Sequence, residues 1–313
     1  MLKNFFKRKT AAIPLTAELS AKWTQAFALH QEGKLAGAKL AYEDILRSSP
    51  NHFDALHFLG VIAYQLGDFR SAVELIGKAI AISPDSAAPY SNIGLAQREL
   101  KQLDAAVASF DKAIAIKPDY VEAHYNRGLA LQELKRLDAA VASYDKAIAL
   151  CPGFADAHFR RGSVLEELKQ FEAAAASYER AIAIQPGFAE AHFRRGNALH
   201  ELMQLDAAIA GYNQAIAIKP DFAEAYSNRG NALQQLGRLE AAISSFNEAL
   251  AVKPDFADAY YNLANAQQEL RQLDAAVANY RNATSINPDF APAKLNMAFA
   301  LLLGGRFDEG LKL

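Results

Sequence analysis

Small, apolar and amphipathic residues recur along this chain at the helical period, in two runs for every 34 residues. Between 121 and 154 the first run is Ala123, His124, Arg127, Gly128, Leu131 and Leu134. The second is Leu137, Ala140, Val141, Tyr144, Ala147 and Ile148. Spacings of three and four put each run on one helix face. Strict alternation is absent, so two helices and no strands are predicted. Prolines at 50, 84, 118, 152, 186, 220, 254 and 288 mark the same period throughout. A fixed period of this length predicts a stacked array around one continuous core. Counted from the prolines, eight full repeats occupy 19–52, 53–86, 87–120, 121–154, 155–188, 189–222, 223–256 and 257–290. A partial ninth covers 291–313. Residues 1–18 lie outside the period and, with Lys3, Lys7, Arg8 and Lys9, predict a disordered basic tail.

The punctuation of each repeat carries its own chemistry. Asp119 precedes Glu122 by three residues, and Asp221 precedes Glu224 by three. This spacing predicts a capping-box-like helix start. Between the paired helices a turn holds Gly33, Gly67 or Gly237 in three repeats, the residue suited to a left-handed C-terminal cap. Lys101, Lys135, Lys169, Met203 and Arg271 hold it elsewhere, which predicts mild strain. The eighth place of the repeat is Gly or Ala throughout, from Ala26 and Gly60 to Ala298. Glycine inside a helix costs about 1 kcal/mol relative to alanine, so a second helix is expected to pass close there. The twentieth place is alanine in all eight full repeats. The twenty-fourth is bulky, with Tyr42, Ile76, Phe110, Tyr144, Tyr178, Tyr212, Phe246 and Tyr280 expected to fill space toward the next repeat.

Small residues at places eight and twenty, a bulky and mostly aromatic place twenty-four and proline at thirty-two resemble the tetratricopeptide repeat over residues 19–313. The resemblance implies an all-α solenoid, a right-handed superhelix of antiparallel helix pairs whose first helices line the concave side. It also implies a scaffold that binds protein or peptide partners as extended segments.

Composition narrows the alternatives. The formal charge is −2, with 51% hydrophobic and 22% charged residues, and calls for neither nucleic acid nor an anionic membrane. No apolar run reaches the ~18 residues of a membrane span. Cys151 is the lone cysteine, which excludes an internal disulfide and suits a reducing, cytoplasmic setting. No phosphate loop, zinc-protease motif or nucleophile elbow is present, so no catalytic residue, cofactor or metal is expected in this chain. His124, His158 and His192 stand 34 apart. Equivalent helices lie on the order of 10 Å apart, too far for a shared ion, so packing of the rings is expected instead.

The candidate site is a polar column on the first helices. Its sixth-place members are Asn92, Asn126, Arg160, Arg194, Asn228, Asn262 and Asn296; Asn197, Asn231 and Asn265 lie three residues on from the sixth place. An asparagine amide donates and accepts at once, so such a column can pair with the backbone of an extended peptide. The alternative is that these amides bond within the array and help it stack. Arg160 and Arg194 sit beside Phe159 and Phe193 in two HFRRG motifs. They offer a guanidinium fork to an acidic partner, or else pair locally with Asp156 and Glu190 four residues earlier. Arg127, Arg161, Arg195 and Arg229 at the seventh place are expected to cover apolar surface with their stems while their heads reach water.

The phrases PDFAEAYSNRGNALQQLGRLEAAI and PDFADAYYNLANAQQELRQLDAAV are also similar to repeats of O-linked N-acetylglucosamine transferases. That resemblance implies an asparagine column for protein substrates, matched at Asn228, Asn262 and Asn296, ahead of a UDP-sugar-dependent catalytic domain. The two function classes are therefore a plain interaction scaffold and the substrate-selecting part of a glycosyltransferase. The ending GGRFDEGLKL has no polar capping helix, so a further domain or partner is expected to cover it.

Overall fold

The computed structural model describes residues 17–312, and all regular structure among them is helical. The expected tail lies outside the described residues except for Ala17 and Glu18, which open the first helix. Contacts divide the chain into two compact units, up to Pro152 and from Gly153 onward.

The first unit contains four helix pairs: α1 Ala17–Gln31 with α2 Leu35–Ser48, α3 Phe53–Gln65 with α4 Phe69–Ile82, α5 Ala87–Glu99 with α6 Leu103–Ile116, and α7 Val121–Glu133 with α8 Leu137–Leu150. The second contains α9 Ala155–Glu167 with α10 Phe171–Ile184, α11 Ala189–Glu201 with α12 Leu205–Ile218, α13 Ala223–Gln235 with α14 Leu239–Val252, α15 Ala257–Glu269 with α16 Leu273–Ile286, and α17 Ala291–Leu303 with the short α18 Phe307–Gly310. In each unit the helices of a pair pack on one another, and each second helix packs on the first helix of the next pair. Each unit is thus a solenoid segment built from one motif.

The close approach within a pair is visible at the eighth place. A Cβ built on Gly128 would lie 2.6 Å from Tyr144, and one on Gly196 would lie 2.7 Å from Tyr212 and 3.3 Å from the Ala208 carbonyl. The fully buried ring at place twenty-four therefore closes over the glycine of its own repeat. It also fills space toward the next repeat as expected, Tyr280 clustering with Ala293 and Met297, and Phe246 with Leu263 and Ala266. Where the eighth place is alanine, at Ala26 and Ala264, the rings of Tyr42 and Tyr280 are still fully buried. Small shifts therefore accommodate one methyl group.

The turns match their residues. Gly33, Gly67, Gly237 and Gly305 have φ of 71–81°, and Lys101, Lys135, Lys169, Met203 and Arg271 have φ of 58–60°. The left-handed turn is imposed by the packing of the pair, because five side chains that disfavour it adopt it all the same.

The capping expectation is corrected. Helix α7 begins after Tyr120 and α13 after Phe222, and neither has a side-chain cap. Asp119 and Asp221 stand one residue too early. The first-turn amides of Ala123 and His124 are met by the Tyr120 carbonyl. Genuine side-chain caps occur at His52, which accepts from the Ala55 amide, and at Asp68, which accepts from Ser71.

Candidate functional site

The first helix of each repeat has two solvent-reaching faces, and the arginines separate them. Among the seventh-place arginines, Arg127, Arg161 and Arg229 reach the second helix of their own repeat, and Arg127, Arg195 and Arg229 reach that of the preceding one. Arg127 donates to Asp111 at 2.6 Å and to Ser143 at 2.6 Å; Arg161 donates to Ser177 at 2.7 Å. Arg229 reaches Asn213 at 3.1 Å, Ser245 at 3.0 Å and Glu248. Ser143, Ser177 and Ser245 are 1–3% exposed, and each also donates to its own helix's carbonyl four residues earlier. Arg195 lacks this serine because Gly211 stands in its place, and it makes only a 3.7 Å contact with Glu179. The heads of Arg127 and Arg229 are therefore clamps between repeats, and that of Arg161 ties the two helices of its own repeat, rather than being freely hydrated charges, which corrects the expectation for them. The sequence signal was available: polar residues at places twenty-three and twenty-five recur with the arginine.

The histidines are a second clamp. His124 Nε2 donates to the Pro118 carbonyl at 2.9 Å, and His192 to Pro186 at 3.0 Å. A proline ends the preceding repeat, and its carbonyl is left without a helical partner. The ring nitrogen supplies one at His124 and His192, so hydrogen bonding accompanies the expected packing of the rings. No group of three or more potential metal ligands is assembled among the described residues.

The other face carries the amide column. In the second unit it forms cross-repeat pairs. Asn228 Nδ2 donates to Asn197 Oδ1 at 2.9 Å, and Asn296 Nδ2 donates to Asn265 Oδ1 at 3.0 Å. Each acceptor is also held by the tyrosine at place twenty-four of its own repeat: Tyr212 donates to Asn197 at 3.0 Å, and Tyr280 to Asn265 at 2.6 Å. Asn296 also donates to the Tyr261 hydroxyl at 3.1 Å. Asn197, Asn228, Asn265 and Asn296 thus bond within the array while staying only partly buried. Asn231 and Asn262 occupy the corresponding positions between these two pairs. They are half-buried as well, and no side-chain hydrogen bond joins either to another described residue.

In the first unit the column behaves differently. Asn92 is 5% exposed, and its amide lies 2.8 Å from His57 Nε2. It offers nothing to a ligand, so the expectation that it contacts peptide is corrected. Asn126 is half-buried, and the ninth place before it is Leu95, which has no acceptor to give.

The two arginines of the column separate. Arg194 bonds Glu190 at 3.0 Å and approaches Glu166 to 3.7 Å, so its charge is locally matched. Arg160 is exposed and stacks its guanidinium 5.9 Å from the Phe159 ring, with no ion pair to Asp156. Around Asn197, Asn228 and Asn231 the face opens into a depression of about 550 Å³, whose rim includes Glu166, Glu201 and His200. Burial, then the nearby carboxylates, push the Tyr178 and Tyr212 phenols above their ordinary range. Both hydroxyls stay protonated and remain hydrogen-bond donors.

Comparison with known proteins agrees with this architecture. Family models described as TPR repeat or tetratricopeptide repeat match residues 29–93, 96–135, 121–154, 165–202, 196–237, 230–271 and 257–290. No curated protein matches the chain significantly. Among solved structures, YrrB, a TPR protein "with an unusual peptide-binding site", is 26% identical with a TM-score of 0.55. The match covers 60% of this chain and 97% of YrrB. A MamA protein is 27% identical with a TM-score of 0.53, over 56% of this chain and 96% of its own. The C-terminal part of a TPR repeat-containing protein from Cytophaga hutchinsonii shares the fold, with a TM-score of 0.64 at 18% identity, covering 77% of this chain and 98% of its own.

Proposed function

Because this chain belongs to the tetratricopeptide repeat family, we propose that it is a protein-interaction scaffold that binds extended peptide along the first-helix face of its second unit. The observation that carries this reading is the row of half-buried amides from Asn197 to Asn296, which faces solvent instead of the interior. Even the bonded members keep groups to offer. Asn228 donates to Asn197 and lies against the Tyr212 hydroxyl, and its carbonyl remains. An extended strand advances ~3.3 Å per residue, so one repeat's spacing of ~10 Å matches about three peptide residues. Peptide-binding YrrB is a relative of the same architecture. Among the described residues no helix is long and apolar enough to cross a membrane.

Arg160 adds one point of charge selection, because its guanidinium is stacked and unpaired while that of Arg194 is matched. Binding of acetylated, amidated random octapeptides to the full chain, read by side-chain amide NMR, tests the proposal. Shifts confined to the asparagine row are expected. Shifts confined to the second helices would overturn it.

A further inference from the structure

Why do two of three equivalent asparagine pairs bond while the third does not? The residue types are the same at Asn197–Asn228, Asn231–Asn262 and Asn265–Asn296. The difference lies underneath. Place twenty-four is Tyr212 below the first pair and Tyr280 below the last, and each hydroxyl holds the acceptor asparagine. Below the middle pair it is Phe246.

Phe246 occupies the same seat as the tyrosines. It is fully buried, and a Cβ on Gly230 would lie 2.5 Å from its ring, as one on Gly196 would lie 2.7 Å from Tyr212. Its para carbon therefore points where those hydroxyls stand, toward Asn231. Without a hydroxyl, nothing holds the Asn231 carbonyl in place for Asn262. Both side chains keep two N–H donors and one carbonyl each, half-buried and facing the row. A half-buried amide left unpaired is unfavourable, and a ligand's backbone that pairs with it recovers that energy.

We propose that Asn231 and Asn262 are the anchor of the peptide site, and that Phe246 keeps them open by withholding the hydroxyl that closes the pairs on either side. The ligand chemistry is the backbone amide of an extended peptide, accepting from one asparagine and donating to the other. The inference rests on the peptide-binding reading above and narrows it to one position. The bonded pairs at Asn197–Asn228 and Asn265–Asn296 are flanking contacts that orient the strand.

The test uses the full chain and a pool of random octapeptides, each with one benzophenone side chain, photo-crosslinked and mapped by mass spectrometry. Cross-links are expected to centre on α13 and α15 around Asn231 and Asn262. The Phe246→Tyr variant supplies the missing hydroxyl and should ease thermal melting upward while reducing those cross-links about tenfold, the equivalent of one or two hydrogen bonds. Tyr212→Phe should do the reverse, adding cross-links near Asn197 and Asn228. Asn231→Ala serves as a second variant that leaves the buried ring untouched, and it should match the loss seen in Phe246→Tyr. Backbone N-methylation of the peptides should remove the signal. Cross-links on the first helices that are centred elsewhere, or are unchanged by Phe246→Tyr and Asn231→Ala, overturn this inference and leave the groove reading standing. Absence of cross-links from all first helices overturns both.

Discussion

Asn228→Ala and Asn262→Ala are the same chemical change at equivalent places in neighbouring repeats, and the structure assigns them different consequences. Asn228 gives up a 2.9 Å bond to Asn197, whereas Asn262 has no side-chain bond to lose. A neutral hydrogen bond contributes about 0.5–1.5 kcal/mol net, and the loss sits in the lower half of that range because Tyr212 still satisfies Asn197. Both variants gain up to about 0.7 kcal/mol of helix propensity from alanine. Asn228→Ala should therefore come out near neutral, and Asn262→Ala slightly stabilised. The propensity gain cancels in the comparison, leaving a difference of about 0.5–1 kcal/mol that belongs to the hydrogen bond. Double-mutant cycles isolate it. Coupling of about 0.5–1 kcal/mol is expected for Asn197 with Asn228, and none resolvable for Asn231 with Asn262. Urea denaturation followed by far-ultraviolet circular dichroism gives both, with midpoints compared only where the slopes agree. Equal or larger coupling at Asn231–Asn262 would refute the reasoning, because those amides would then be joined in solution.

Three further outcomes follow from particular contacts. Met203→Gly removes an exposed side chain from a left-handed turn with φ 59° and should raise the urea midpoint by the equivalent of about 0.5–1 kcal/mol. Gly237→Ala at φ 71° should lower it by a similar amount, and a neutral result at both would show that the turn is unstrained. Arg229→Lys should destabilise nearly as much as Arg229→Ala, about 1–2 kcal/mol, because only the planar fork reaches Asn213, Ser245 and Glu248 together; full rescue by lysine in the denaturation midpoint would sink that account. The first unit should lose stability as pH falls. Burial lowers the pKa of both His30 and His52, opposed at His30 by the Gln65 bond and at His52 by Asp54. Below pH ~6.5 the unfolded chain takes up protons that the folded one refuses, so stability falls until the depressed folded pKa is passed. Trp23 stacks on His52 at 5.8 Å and reports the event by fluorescence; an unfolding midpoint that does not move between pH 7.5 and 5.5 would contradict it.

What could be read from the sequence was what the 34-residue period dictates. Helix pairs, close glycine contacts and left-handed turns follow from local spacing and from sterics between neighbours, and these repeat identically. The sequence misled where a single residue of register matters. Asp119 looked like a cap but stands one place before the true N-cap at Tyr120, because packing rather than capping chemistry sets where α7 starts.

The site divided in the same way. The sequence alone determined that a column of amides shares one helix face, since equivalent places in stacked repeats must align. It could not say which amides are spent. That depended on relations between residues 15 to 35 apart: His57 capturing Asn92, Leu95 leaving Asn126 without a partner, Glu166 approaching Arg194, and Phe246 leaving Asn231 and Asn262 unbonded. A side chain's availability to a ligand is what remains after its neighbours have been satisfied. Only the tertiary structure names those neighbours.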